Sequence, residues 1–208
     1  MEKMSVTRAL SQLKLLDSRI LKEIGNAEFI GFYQSGKNVI QGLNIPVNEF
    51  EKLANATKQT ISDLIDRRRK IKSAVLLSNS NTSVIIDGEK YFVIEAIERK
   101  MSIKYDEALF KKLRLQYTTA MSNLEQNNAK IKENIDRMLE ANLQKDKEAK
   151  KSDYENITHA FIEANEVKLS DPIKIKTEID LMDEKIDTFL SEVDFVLSES
   201  NSRTEIEF

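Results

Sequence analysis

Glycine and proline, the residues that make tight turns, are scarce in this chain. Its 208 residues include five glycines and two prolines, whereas average usage of roughly 7% glycine and 5% proline would give about 25. Because sandwiches, propellers, β-barrels and enzymes built on βα loops need many sharp turns, this scarcity argues against all four classes. With 40% hydrophobic and 32% charged residues, the composition instead favours long amphipathic helices.

Apolar residues recur at three- and four-residue steps along most of the chain, which is the pattern of a helix with one buried face. The pattern predicts helices over residues 5–24, 46–77, 93–150 with a break near Ser102, 153–167, and a last one that starts at Ser170-Asp171-Pro172. Residues 78–82 should break the second helix, and residues 144–152, which lack an apolar stripe, should form a solvated end or linker. Four of the five glycines lie in residues 25–46. This irregular segment is rich in apolar residues, so we expect it to be packed.

Residues 82–94 carry the strongest local signal, a β-hairpin. Asp87-Gly88 separates two β-rich runs, and this pair is favoured in type I′ turns because both residues must adopt positive φ. Val84 and Ile86 should share one face, and Ile85 and Phe92 the other. A lone hairpin is marginal in water, so each face needs a cover, and the alternating segment 204–208 could add a strand to it.

These elements predict a mainly α fold, in which long antiparallel helices form a bundle or coiled coil around one central β-hairpin, with a short C-terminal strand. We expect one continuous structural unit, with a helical N-terminal region over 1–105 and a long-helix region with an acidic C-terminal segment over 106–208. In the second region every seventh residue from Phe110 to Met138 is apolar, and Asn128 lies on the companion seam. Either the seam simply weakens toward its end, or Asn128 is buried and fixes the register and the number of helices in a bundle.

Charge is unevenly distributed along the chain. Residues 1–152 carry 27 basic and 20 acidic side chains, net +7, whereas residues 153–208 carry 5 and 15, net −10. An acidic tail folded against a basic body would explain this, and so would head-to-tail contact between subunits. The most basic run comprises Arg67, Arg68, Arg69, Lys70 and Lys72. Asp63 and Asp66, each four residues ahead of a cation, should neutralise it in part.

Several kinds of chemistry are excluded by missing residues. The chain has no cysteine and one histidine, His159, so thiolate metal sites, two-histidine sites and cysteine nucleophiles are ruled out. Residues 31–38 nearly match a phosphate-binding loop, but Asn38 replaces the hydroxyl residue that holds Mg²⁺, and Gly42 and Pro46 leave no long helix after it. We therefore expect no cofactor, no metal, no catalytic residue and no enzymatic activity.

Membrane insertion is not expected either. No apolar run approaches the roughly 18 residues that suggest a span, and the longest is Ala74–Leu77. Residues 1–4 contain no apolar core of a signal peptide. The expected location is the cytoplasm, or the virion if the chain is phage-encoded.

Three blocks of sequence, residues 5–20, 64–79 and 87–100, follow each other as helix, basic helix end and hairpin with a Glu-Ala-Ile helix start. Over about residues 5–115 this order resembles the septicolysin-like family of small bacterial helical proteins, and it is also similar to helical proteins of tailed phages and prophages. The resemblance implies a helix–hairpin–helix layout and a tendency to oligomerise. It implies no catalytic residues.

The sequence thus favours a non-enzymatic structural or assembly protein that self-associates, for which a phage virion or assembly component is one setting. The expected partners are further copies of the chain, and other virion or assembly proteins in that setting. The residues expected at the homo-oligomer interface are Ile85, Phe92, Val84, Ile86 and Asn128. The alternative is a binding or inhibitor protein, for example in phage–host conflict, that uses the basic run on a protein or other anionic partner. Nucleic acid is not expected because no aromatic residues interleave the basic run.

Overall fold

The computed structural model describes residues 2–145 and 151–208, and within them the side chains of 2–140 and 158–208. Five helices in these ranges make the chain 74% helical, so the mainly α prediction is confirmed, whereas the antiparallel bundle stays a prediction. The elements, in chain order, are β1 (Lys3–Ser5), α1 (Val6–Asn26), α2 (Val47–Asn81), β2 (Ser83–Ile86), β3 (Glu89–Phe92), α3 (Val93–Lys145), α4 (Lys151–Asn165), α5 (Ile175–Arg203) and β4 (Glu205–Glu207). They divide into two compact units, Met1–Met101 with Phe189–Phe208, and Ser102–Thr188.

The core of the first unit joins α1 and α2 to a sheet made by the two ends of the chain. Ser5 caps α1, because its hydroxyl oxygen accepts a hydrogen bond from the main-chain N–H of Arg8 at 3.3 Å. The buried cluster draws on β1, α1, α2 and β4 and consists of Met4, Val6, Ala9, Leu13, Leu16, Ile20, Ile71, Val75 and Ile206. The apolar stripe of α1 therefore faces α2 through its middle turns.

The C-terminal strand exists, but it does not extend the hairpin as the sequence suggested. β4 pairs antiparallel with β1, so that Met4 lies opposite Ile206 and Lys3 opposite Glu207. The physical reason is that both strands alternate in phase: Met4 and Ile206 are buried on the core side, while Lys3 and Glu207 form an exposed ion pair at 3.8 Å.

The predicted hairpin and its turn are confirmed. β2 pairs with β3 in the register Ile86↔Glu89, and Asp87 and Gly88 have φ of 52° and 70°. The chain passes directly into α3, where Glu95 accepts the main-chain N–H of Phe92 at 2.8 Å. This contact places a carboxylate in the first turn of α3, where the helix dipole favours negative charge.

Two predicted helix breaks are wrong. Helix α3 is continuous through Ser102, because residues 93–145 contain neither glycine nor proline. Residues 78–81 continue α2, in which the Ser80 hydroxyl donates to the carbonyl of Leu76 at 2.9 Å and so remains compatible with the helix. The predicted linker at 144–152 falls mainly on residues 146–150, which lie outside the described residues.

In the second unit, a helix was predicted to start at Ser170-Asp171-Pro172. Helix α5 begins at Ile175, and Asp171 caps it. The Asp171 carboxylate accepts the N–H of Ile175 at 2.9 Å. Buried residues of this unit lie on α3 and α5, namely Ile103, Leu113, Ile135 and Ile179. None of the helices in the described residues is long and apolar enough to cross a membrane.

Candidate interaction surfaces

The two faces of the hairpin differ sharply in exposure. Val84 and Ile86 are buried, whereas Ile85 is 65% and Phe92 is 44% exposed. The last part of α5 contacts the hairpin: the rings of Tyr91 and Phe189 meet edge to face with centroids 6.1 Å apart. Of the four hairpin residues suspected at an interface, two thus belong to the interior of the chain and two face outward.

The turn of the hairpin is held by the same part of α5. The carboxylate of Glu192 accepts the main-chain N–H of Asp87 at 2.8 Å. Lys100 of α3 forms an ion pair with Asp194. Within the first unit, therefore, residues of the acidic C-terminal segment contact the hairpin turn and the first turns of α3.

Tyr91 lies on the inner face of the hairpin, opposite Val84, and its hydroxyl group contacts Glu89. The hydroxyl donates to the Glu89 carboxylate at 2.7 Å. This hydrogen bond raises the pKa of Tyr91, because ionised tyrosinate would lose its donor and face a negative charge. The hydroxyl group is therefore held as a neutral hydrogen-bond donor to Glu89.

The arginines of the basic run contact carboxylates of their own chain. Arg67 donates two hydrogen bonds to Glu2, at 3.0 and 2.6 Å, and its guanidinium lies 5.9 Å from the ring centre of Phe208. Arg68 binds Asp17 of α1. Among the described residues, these two contacts fasten both ends of the chain and α1 to α2.

Of the two carboxylates predicted to neutralise the run, Asp66 pairs with a cation of the run, three residues away and not four. Asp66 pairs with Arg69 at 2.8 Å, and Asp63 instead accepts a hydrogen bond from Gln59 at 2.8 Å. Lys70 lines a charged pocket beside Phe208. The pKa of Asp17 is lowered chiefly by its hydrogen bond with Arg68, and the charge of Lys72 adds to this effect.

These ion pairs lower the pKa values of the two carboxylic acids that form them. The hydrogen bonds from Arg67 hold the pKa of Glu2 below its usual value of 4.5. Those from Arg68 lower the pKa of Asp17 below 3.8 and raise the pKa of Arg68 itself. A guanidinium already bound to a carboxylate has fewer donors for an external anion, so an anion-binding role would require these pairs to open.

The segment that resembles a phosphate-binding loop lies in the α1–α2 loop, residues 27–46. Its glycines do not cradle an open anion site: a Cβ at Gly31 would come within 2.8 Å of Ile40, whereas one at Gly36 would meet nothing within 4 Å. Lys37 donates its N–H to Gln34 at 2.8 Å inside a turn, and the next helix starts only at Val47. Gly31 is therefore a packing position against Ile40.

The α1–α2 loop has a fixed main chain. Gln41 donates to the carbonyl of Phe32 at 3.0 Å, Ile40 donates to Ile45 at 2.9 Å, and Val47 donates to Asn38 at 3.2 Å. Bridges join Tyr33 to Ile40 and Val39 to Pro46. The loop is thus a small hydrogen-bonded unit around the buried Ile40 side chain.

The expectation that the apolar residues of this loop are packed is wrong for most of them. Ile40 is buried, but six large apolar side chains are between 37% and 87% exposed: Phe29, Ile30, Phe32, Tyr33, Val39 and Leu43. The reason is steric. The two bridges leave room inside the loop for the Ile40 side chain, and the six others point outward. One sequence signal pointed to this surface: residues 29–45 contain a single charge, Lys37, but no period of 2 or 3.6.

Asn128 is a half-buried residue of α3 in the second unit. Its side-chain amide forms hydrogen bonds with the main chain of the same protein. Its side-chain NH₂ donates to the carbonyl of Val167 at 3.4 Å, and its carbonyl accepts the N–H of Val167 at 3.2 Å. Val167 follows the end of α4. The amide therefore mimics a β-bridge and fixes α3 against the segment after α4.

His159 is exposed on α4, with its Nδ1 atom 3.9 Å from the carboxylate of Glu163. The part of the chain that the structure describes contains no group of three or more histidine, aspartate or glutamate side chains placed to hold a metal ion. No protein-family model, curated protein or solved structure matches this chain.

Proposed function

We propose that this chain is a non-enzymatic structural or assembly protein that associates with copies of itself. The observation that carries the proposal is the outer face of the hairpin. Its inner face is covered by the same chain, whereas Ile85 and Phe92 present apolar side chains to solvent. Strand edges with such side chains are recurrent points of association between chains.

The hairpin is well suited to presenting these two side chains. Its turn is pinned by Glu192, and its inner face is anchored by the contact between Tyr91 and Phe189. A rigid platform loses little conformational freedom on association, so more of the burial free energy is available for binding. The alternative, capture of an anionic partner, receives less support because Arg67, Arg68 and Arg69 already bind carboxylates. That the assembly is part of a phage particle stays a prediction.

Size-exclusion chromatography with light scattering at tens of micromolar tests the proposal. We expect a mass of at least two chains of 23.9 kDa each, and a smaller mass for Ile85→Asp, because a charge buried without a partner opposes association. Leu15→Asp is a matched control, since Leu15 is 70% exposed on α1 and is not part of the hairpin. A wild-type mass of one chain would reject the proposal.

A further inference from the structure

The outer face of the hairpin is too small to hold two chains together alone. A large apolar side chain carries about 150–250 Å² of surface, and Ile85 and Phe92 are about half exposed. The pair therefore offers about 200 Å² per copy, against about 800 Å² per partner in a typical stable interface. Self-association requires a larger surface elsewhere on the chain.

The α1–α2 loop supplies apolar area on that scale. Its six outward side chains are on average a little over half exposed, which gives roughly 100 Å² each and about 600 Å² per copy. Two copies that covered each other's loops would bury about 1,200 Å², where the range of stable specific interfaces begins.

We propose that the α1–α2 loop is the principal docking surface of this chain and that its occupant is the same loop of a second copy. The inference rests on the proposed function, self-association, and specifies where it takes place. The contact would be isologous, with each loop meeting its symmetry mate across a two-fold axis.

Charge favours a second copy as the occupant. A surface that meets itself brings like charges together, and Lys37 is the single charged residue between 29 and 45. Its long side chain can turn its ammonium group to water at the rim. Phe29, Phe32 and Tyr33 supply the aromatic residues that are enriched in interface cores, where charged residues are depleted.

The fixed main chain of the loop favours docking as well. Hydrogen bonds from Gln41 to Phe32 and from Ile40 to Ile45 already define its shape, and Gly31 allows the close packing on Ile40. Binding therefore immobilises side chains but little backbone, which lowers its entropic cost.

The experiment compares three variants with the wild-type chain by light scattering and sedimentation over a range of concentrations. Ile30→Asp and Phe32→Asp alter the two most exposed side chains of the loop, and Leu15→Asp places the same charge at a comparably exposed apolar position on α1. Far-UV circular dichroism monitors folding, which we expect to survive because none of these side chains is buried. We expect both loop variants to weaken association by more than about 100-fold and Leu15→Asp to leave it unchanged.

The outcomes separate this inference from the proposed function. If the wild-type chain is a monomer, both are rejected. If it is an oligomer that Ile85→Asp dissociates while Ile30→Asp and Phe32→Asp do not, self-association stands and the loop proposal is overturned. A monomeric chain that co-sediments with phosphatidylcholine vesicles, and loses this in Phe32→Asp, would assign the loop to a lipid surface and overturn the second copy as its occupant.

Discussion

Arg67 is the residue that contacts both ends of the chain. It binds the Glu2 carboxylate through two hydrogen bonds and lies over the ring of Phe208. Arg68, its neighbour, binds Asp17 on a different helix. Consecutive helical residues point about 100° apart, so a run of arginines can fasten several elements at once.

These ion pairs make folding stability depend on acid pH. The pKa values of Glu2 and Asp17 are lowered in the folded chain, so their contribution is complete above the usual values of 4.5 and 3.8. It is lost as the pH falls through the lowered folded values. We expect the urea midpoint of unfolding to decrease between pH 7 and pH 3, and to decrease less in Glu2→Gln/Asp17→Asn, which begins lower at pH 7. Equal decreases in the two proteins would contradict this role.

Gly31 offers a second test at the residue scale. In Gly31→Ala the new Cβ would lie 2.8 Å from Ile40, and crowding a packed position costs about 1–3 kcal/mol. Gly36→Ala is the matched control, because its Cβ meets nothing within 4 Å and a compatible Gly→Ala change raises stability by up to about 1 kcal/mol. Chemical denaturation measures both, and equal effects would show that Gly31 is not a packing position.

The elements that could be predicted from the sequence are those that a local sequence pattern determines. Asp87-Gly88 fixed the hairpin because few residue pairs accept two positive φ values, and the helices followed from periodicity. Helix ends were missed at Ser78–Asn81 because serine can satisfy its hydroxyl within a helix, as Ser80 does. The exposed side chains of the α1–α2 loop were missed because apolar composition predicts burial, and only the bridges Tyr33–Ile40 and Val39–Pro46 decide which way they point.

The hydrogen bonds between Asn128 and Val167 can be tested by mutation. Asn128→Ala removes both hydrogen bonds to Val167, and we expect a loss of about 1 kcal/mol with faster hydrogen exchange at the Val167 amide. Asn127→Ala is its control, since the Asn127 amide donates to the carbonyl of Asn123 inside the same helix. Unchanged exchange at Val167 would mean that the bridge does not hold this segment in solution.

For the whole molecule, stability and assembly are linked by mass action. If the folded chain associates and the unfolded chain does not, higher protein concentration favours the folded state. We expect the thermal midpoint to rise by a few degrees per tenfold increase in concentration, and the rise to disappear in Phe32→Asp. A midpoint that is independent of concentration in the wild-type chain would argue against a folded oligomer in equilibrium with unfolded monomers.

The pairing of β1 with β4 has a consequence for rearranging the chain. Glu2 and Phe208 exchange main-chain hydrogen bonds at 3.0 and 3.2 Å, so a short glycine-rich linker could join them into a circular chain without displacing either strand. New ends could then be opened at Gly36, where the main chain is exposed and no neighbour lies near the Cβ position. A permutant of this kind would keep the contacts of Arg67 with Glu2 and Phe208 but would cut the α1–α2 loop. The chain could then fold while its proposed docking surface is interrupted.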